Sequence, residues 1–378
     1  MRHPDGHSRP PLKPPSLVAA LRAPPSSTYP RDTVIGRAMR GRVVMAVVLS
    51  LALLVLPGLR AAAPTPPVPA PFDLQGHRGA RGLAPENTLA AFSRALGLGV
   101  TTLELDTGLT RDGAVVVSHD ERLNPDFTRD AAGKWIDAPG PALFALTLAE
   151  VRRYDVGRLR PGTPYAARLP EQEPADGQRV PTLDEVFALA GKARNASVRF
   201  NVETKLDPRH PELTAAPEPF ADAVIAVVRG AGMTQRTTLQ SFDWRTLRYA
   251  QRVAPEIPTV CLTTQQPGDD NVQVGQPGPS PFLAGLDVDD FAGSVPRVVR
   301  AAGCAVWSPN ARDLTAQTLA EAHREGLKVI VWTVNEESEM NALAESGVDG
   351  IITDYPDRLR KVLARRDVLL PAPTRVRP

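Results

Sequence analysis

The sequence predicts an α/β fold, a (β/α)8 TIM barrel with a small hairpin and loop insertion over its catalytic face. Three observations predict it. Eight short apolar runs, beginning near Phe72, Thr102, Val198, Thr237, Pro258, Cys304, Lys328 and Asp349, recur over about 300 residues. Helical patterns separate most of them, the alternation that a parallel sheet with crossover helices produces. The turn after the first run lacks the glycine-rich phosphate loop expected of a doubly wound sheet, and holds His77-Arg78 between two glycines instead.

The first strand is expected over residues 72–76 and the first helix over 87–98, where Leu89, Ala90, Phe92, Ala95 and Leu96 form a broad apolar stripe. Arg111-Asp112-Gly113 separates TTLELDTGLT from AVVVSHD, an Asp-Gly hairpin signal between two runs. A short helix near 146–154 precedes a loop-rich stretch over 155–181, and a further helix is expected over 182–190. Beyond it, strands and helices alternate to about residue 365, with helices at 220–229, 244–253, 315–325, 337–345 and 356–365.

The chain divides by composition before the barrel begins. Residues 1–38 are basic and rich in proline, with no apolar periodicity that could pack, and read as a disordered extension. Residues 39–63 have the form of a secretory signal: Arg40 and Arg42, an apolar run from Val43 to Leu56, a Pro57-Gly58 break and a small-x-small site ending at Ala63. The run is shorter than the ~20 residues of a membrane span; an uncleaved amphiphilic anchor is the alternative. A Pro-rich linker fills 64–71, the barrel is assigned to 72–368, and 369–378 reads as a disordered tail. The expected location is therefore secreted or periplasmic.

The whole chain carries a net charge of +2, but beyond residue 63 there are 35 Lys+Arg against 40 Asp+Glu, a net −5. No global basic field is present, so no nucleic-acid partner is expected. Membrane contact is expected only through the signal segment or a lysolipid substrate. Cys261 and Cys304 are too few for a disulfide scaffold. They pair if their strands are neighbours, and are otherwise two buried thiols.

In a barrel of this class the chemistry gathers at the C-terminal ends of the strands. Glu104 and Asp106 are two apart on one strand and so face the same side. Inward-facing like charges need a cation between them, and Glu203 ends the next parallel run with a third carboxylate. Three carboxylates without cysteine favour one hard divalent cation, Mg²⁺ or Ca²⁺, over zinc; the alternative is that each pairs with an Arg or Lys. His77 and His119 end β runs beside this cluster, the placement of a general acid and a general base. His210 reads as a loop residue and His323 as a solvated helix face.

HRGARGLAPENTLAAF, ELD, DGAVVVSHDERL, NVETK, VWTVN and GIITDYPD, in that order, resemble the glycerophosphodiester phosphodiesterase family over residues 75 to about 365. The resemblance implies a (β/α)8 barrel that hydrolyses a small-molecule glycerophosphodiester to an alcohol and sn-glycerol 3-phosphate. It implies catalysis by His77 and His119, and a divalent cation held by Glu104, Asp106 and Glu203. Arg78 and Lys205 would face the phosphate, and Trp332 would form a wall against the alcohol or belong to the barrel core. Glu86 and Asn87 look structural, as the turn and N-cap of the first helix, while Asp120, Ser241 and Asp354 support the site. The arginines of the insertion, Arg158, Arg160 and Arg168, are open to two readings: a second anion site or solvated loop charge. A lysophospholipase D-like activity on the same barrel, and a phosphodiester-binding envelope protein without turnover, are the competing expectations.

Overall fold

The computed structural model describes residues 72–378. The extension, the signal pattern and the linker, all within residues 1–71, lie outside the described residues. Chain order runs β1 (Asp73–Gly76), α1 (Leu89–Leu98), β2 (Thr102–Leu109), β3 (Val115–Val117), α2 (Leu148–Val151), α3 (Pro164–Ala167), α4 (Leu183–Lys192), β4 (Arg199–Thr204) and α5 (Pro217–Gly230). It continues with β5 (Thr237–Ser241), α6 (Trp244–Val253), β6 (Thr259–Thr263), α7 (Val295–Ala301), β7 (Val306–Pro309), α8 (Ala316–Arg324), β8 (Lys328–Val331), α9 (Glu337–Ser346), β9 (Gly350–Thr353) and α10 (Pro356–Ala364).

Eight parallel strands close into a barrel in the order β1-β2-β4-β5-β6-β7-β8-β9, with β9 returning to β1. β3 pairs antiparallel with the upper half of β2, Thr107 opposite Val117, which makes the expected hairpin. The barrel interior is divided in two. Val260, Val306, Ile330 and Ile352 pack together across β6 to β9. On the other side Gln75, Asn201 and Gln240 are buried and bonded to one another, Asn201 Nδ2 donating to Gln75 at 3.0 Å and to Gln240 at 2.8 Å. A polar side chain with no partner in such an interior costs several kcal/mol, so these three amides hold one another in fixed orientations. They thereby make a rigid floor under the carboxylates above.

Outside the barrel the helices bury their apolar stripes against the outward faces of the strands, forming the main core. Most start at side-chain caps: Thr88 accepts from Ala91 N at α1, and Thr182 forms a capping box with Glu185 at α4. The insertion between β3 and α4 has its own small core, in which Leu123, Leu143, Val151, Val156 and Val180 pack on Val116. Cys261 on β6 and Cys304 just before β7 are joined by a disulfide, with Cα atoms 5.9 Å apart. β6 and β7 are hydrogen-bonded neighbours, so of the two expectations it is the pairing that holds.

Two expectations are corrected here. Residues 369–378 are not a free tail: Thr374 N donates to Leu96 O at 2.9 Å and Ser93 Oγ to Val376 O at 2.5 Å. Their backbone groups find partners along α1, which the low sequence complexity of PAPTRVRP hides. Asn87 is not the N-cap of α1; Thr88 is, and the Asn87 side chain turns toward the barrel mouth instead.

Candidate active site

β1 ends in a sharp turn. Arg78 stands at φ +50° and Gly79 at φ +88°, and a Cβ at Gly79 would come within 2.7 Å of the Ala91 backbone. Only glycine fits that close approach of turn to helix. The turn exposes the Arg78 amide, which donates to Glu104 Oε2 at 2.8 Å, and aims the His77 and Arg78 side chains into one cavity.

Strand register does the rest. Parallel pairing sets Asp106 beside Glu203 and Glu203 beside Gln240 in one row across β2, β4 and β5. Glu104 lies one inward position lower on β2. Gln240 Nε2 donates to Glu104 Oε1 at 2.7 Å, and Asn87 Nδ2 donates to Asp106 Oδ2 at 2.9 Å. Ligand oxygens from Glu104, Asp106 and Glu203, all buried, lie within 4.8 Å of one another. Two side-chain cations reach them: Arg78 Nε is 3.3 Å from Asp106 and Lys205 Nζ is 2.9 Å from Glu203. Both readings of the carboxylates are thus met in part.

The charge balance stays short of neutral. Burial, and then Asp106, push Glu104 well above the usual carboxylate range. Burial pushes Glu203 up to about 7 in spite of Lys205, while burial of Asp106 is outweighed by Arg78, His119 and Lys205, which hold it low. A cluster of three hard oxygen donors with surplus negative charge fits a hard divalent cation.

Each histidine is backed by a carboxylate. His77 Nδ1 meets Asp354 Oδ1 at 2.6 Å, and Asp354 is itself held by Asn335 Nδ2 at 2.8 Å. His119 Nδ1 meets Asp120 Oδ1 at 2.7 Å, with Asn124 Nδ2 on Asp120 Oδ2 at 2.6 Å. A ring nitrogen facing a carboxylate carries the proton and leaves Nε2 free to act on substrate. Burial, then Arg78 and Arg81, lower His77 below its ordinary 6.5 against the opposing pull of Asp354. Burial, Arg78 and Lys205 lower His119 to about 4, although 31% of its side chain is exposed. Both imidazoles are therefore neutral at pH 7 before substrate arrives.

His77, Arg78, Glu104, Asp106, His119, Glu203, Lys205 and Trp332, the eight residues expected at the site, all line one cavity of about 220 Å³ at the C-terminal ends of the strands. Trp332 is half-buried, its indole nitrogen bonded to Ser308 O at 3.0 Å and its ring edge-on to Phe242 at 5.4 Å. It is a wall of the cavity as well as a cap on the apolar half of the barrel.

A family model described as the glycerophosphoryl diester phosphodiesterase family matches residues 77–358. The chain belongs to the glycerophosphoryl diester phosphodiesterase family. It is 29% identical over 283 residues to a glycerophosphodiester phosphodiesterase of Caldanaerobacter subterraneus subsp. tengcongensis, covering 75% of this chain and 94% of that one. A solved Silicibacter pomeroyi chain bearing the glycerophosphoryl diester phosphodiesterase name shares 38% identity and a TM-score of 0.70, over 80% of this chain and 96% of that one. An Oleispira antarctica phosphodiesterase, solved with the product sn-glycerol-3-phosphate, shares the fold at 22% identity and a TM-score of 0.56, over 77% of this chain and 96% of that one.

Several further residues of this family member's site leave no signal in the sequence. Arg81 lines the cavity, paired with Glu86 at 3.0 Å. Glu86 is not merely part of a turn; it is buried and accepts from Arg78 Nη1 at 2.7 Å. Tyr165, from α3 of the insertion, donates its hydroxyl to the other Glu86 oxygen. Ser241, expected to support the site, bonds to Thr204 O at 2.9 Å and serves the strand end. The insertion arginines do not line the cavity: Arg158 pairs with Asp176, and Arg168 lies 4.9 Å from the Tyr165 ring. His210 is exposed, and His323 pairs with Asp349 at 3.0 Å on the surface, as expected of both.

Proposed function

We propose that this enzyme of the family hydrolyses glycerophosphodiesters to an alcohol and sn-glycerol 3-phosphate by proton transfer through His77 and His119, at a centre that holds one divalent cation, Mg²⁺ or Ca²⁺. The observation that carries this reading is the meeting of two carboxylate-backed imidazoles and three carboxylates in one cavity. Glu104, Asp106 and Glu203 would hold the cation, which supplies Lewis-acid polarisation of a phosphate oxygen.

The chain's own residues do the rest. Arg78 is clamped by Glu86 and Asp106, so its charge is fixed before substrate binds and costs no reorganisation in the transition state. Lys205 is tethered to Glu203 and adds a second positive charge at the phosphate. One imidazole takes the proton of the attacking oxygen as the new P–O bond forms. The other gives a proton to the alcohol oxygen as the old P–O bond breaks. The phosphodiester's negative charge raises the imidazole it meets, which readies that group as the acid. Asp354 and Asp120 stabilise whichever ring is charged.

An exported protein is part of the proposal. The signal pattern before residue 64 supports it, and so does a disulfide, which persists in oxidising compartments.

Replacing His77 or His119 by Ala tests the assignment. Turnover of sn-glycero-3-phosphocholine is expected to disappear while calorimetric binding of Mg²⁺ or Ca²⁺ persists. Near-normal turnover in either variant overturns the assignment of that histidine.

A further inference from the structure

A second cavity, of about 230 Å³, opens beside the catalytic one and shares His119, Glu203, Lys205, Phe242 and Trp332 with it. A phosphodiester has two ester arms. With the phosphate at the shared residues, one arm occupies the catalytic cavity and the other must extend into this neighbour. The chemistry of the second cavity therefore selects that arm.

Its own lining is acidic and aromatic. Glu121, Asp207, Asp269 and Asp270 contribute carboxylates, and Phe282 adds a ring to those of Phe242 and Trp332. Two of the acids are already engaged. Asp207 is paired with Arg209 at 2.6 Å, and Asp270 accepts from the amides of Val272 and Gln273 at 2.8 and 2.9 Å. Glu121 and Asp269 make no ion pair and no side-chain hydrogen bond among the described residues. The rings already receive cations from the chain itself: Lys205 Nζ lies 5.7 Å from the Phe242 centroid and Arg209 Cζ 5.2 Å from that of Phe282. Lys205 and Arg209 also line the cavity and act on Asp269 through space, but five carboxylates face these two cations; aromatic faces next to such a surplus of carboxylate are the arrangement that binds an organic ammonium group. A neutral polyol leaves those carboxylates unpaired, and an acyl chain would have to cover them.

We infer that the second cavity is the subsite for the alcohol arm and selects a cationic amino-alcohol head group, with Asp269, Glu121 and Phe282 as its specificity residues. This rests on the phosphodiesterase reading above. It adds to that reading the charge of the preferred alcohol and the residues that set it.

The test is a comparison of kcat/KM for sn-glycero-3-phosphocholine and for glycerophosphoglycerol, whose second alcohol is neutral. The wild type is expected to favour the choline diester. Asp269→Asn keeps the shape of an exposed loop residue and removes its charge. It should lower kcat/KM for the choline diester by about fivefold and act less, or in the opposite direction, on the glycerol diester. Phe282→Leu keeps an apolar contact without a ring, and should act in the same direction. Equal wild-type rates on both diesters, or an Asp269→Asn effect of the same size on both, overturn the inference. Loss of turnover on every diester in the wild type would instead overturn the phosphodiesterase reading itself.

Discussion

Asn87 reaches from a backbone at φ +55° to donate its side-chain amide to Asp106 Oδ2 at 2.9 Å. A second contact returns from the Asp106 amide to Asn87 Oδ1 at 3.4 Å. Asparagine tolerates the left-handed region better than other residues with a side chain, so one residue turns the chain and orients a carboxylate of the three-acid cluster. Asn87→Gly keeps the turn and deletes the amide. It is expected to raise the cation concentration needed for half-maximal activity by about 10-fold or more. A metal titration of activity measures this, and an unchanged midpoint would show that Asn87 serves the backbone alone.

The His77–Asp354 pair joins the two ends of the barrel sequence across the β1–β9 seam. Asp354→Asn preserves the size of the side chain and removes the charge that fixes the ring and stabilises it when protonated. A fall in kcat of about 10²- to 10⁴-fold is expected, with a far-UV spectrum like the wild type. A kcat within a few fold of wild type would leave Asp354 as a packing residue only.

The barrel itself was legible because each of its strands is a short apolar run and its candidate site residues sit at strand ends. His77, Glu104, Asp106, His119 and Glu203 could be found that way. Gln240 could not: in TTLQSF it looks like any polar residue of a strand, and only the register beside Glu203 brings it onto Glu104. Glu86 and Asn87 look like a helix start in the sequence because the helix does begin one residue later, at the Thr88 cap. Tyr165 was hidden for another reason. Its partner Glu86 is 79 residues away, and no local pattern in a loop reports a contact at that distance.

Tyr165 offers a test of whether the insertion acts on the site. Its hydroxyl and Arg81 both engage the Glu86 oxygen that does not hold Arg78. Tyr165→Phe removes one hydrogen bond to a charged group, a loss of about 1.5–3 kcal/mol if the carboxylate is left unsatisfied. Arg81 stays on that oxygen, so the carboxylate keeps a partner and steady-state kinetics should show kcat/KM reduced by less than that full loss, about 3- to 10-fold. No change in kcat/KM would mean that the insertion only shields the site.

In acid, the two histidines and Asp120 should give up their contributions to the fold in two stages. Both histidines are held below their unfolded value of 6.5, His119 at about 4. The unfolded chain binds these two protons first, so the histidines' own contribution to stability declines as pH falls from 6.5 toward 4. Asp120 is held at about 2, by the His119 and Asn124 hydrogen bonds acting against burial. Its contribution is complete above the ordinary aspartate range near 3.8 and is lost as pH falls toward 2. Glu104 and Glu203, held above the carboxylate range, act in the opposite sense over the same window, so the test is a difference: in thermal melts of the metal-free proteins, Tm of the wild type should fall relative to that of His119→Gln as pH drops from 6.5 toward 4. Identical pH profiles for the two proteins would contradict the depressed imidazole.

The disulfide closes a loop from Cys261 to Cys304, a separation of 43 residues. Cys261→Ser with Cys304→Ser should cost about 2–4 kcal/mol of stability, read from denaturant melts, and leave kcat unchanged because neither sulfur lines the catalytic cavity.

The most direct test of the account follows the products of sn-glycero-3-phosphocholine hydrolysis with and without metal. Enzyme stripped with EDTA should be inactive, and Mg²⁺ or Ca²⁺ should restore release of choline and sn-glycerol 3-phosphate in equal amounts. Full turnover in EDTA, or release of phosphocholine and glycerol instead, would contradict it.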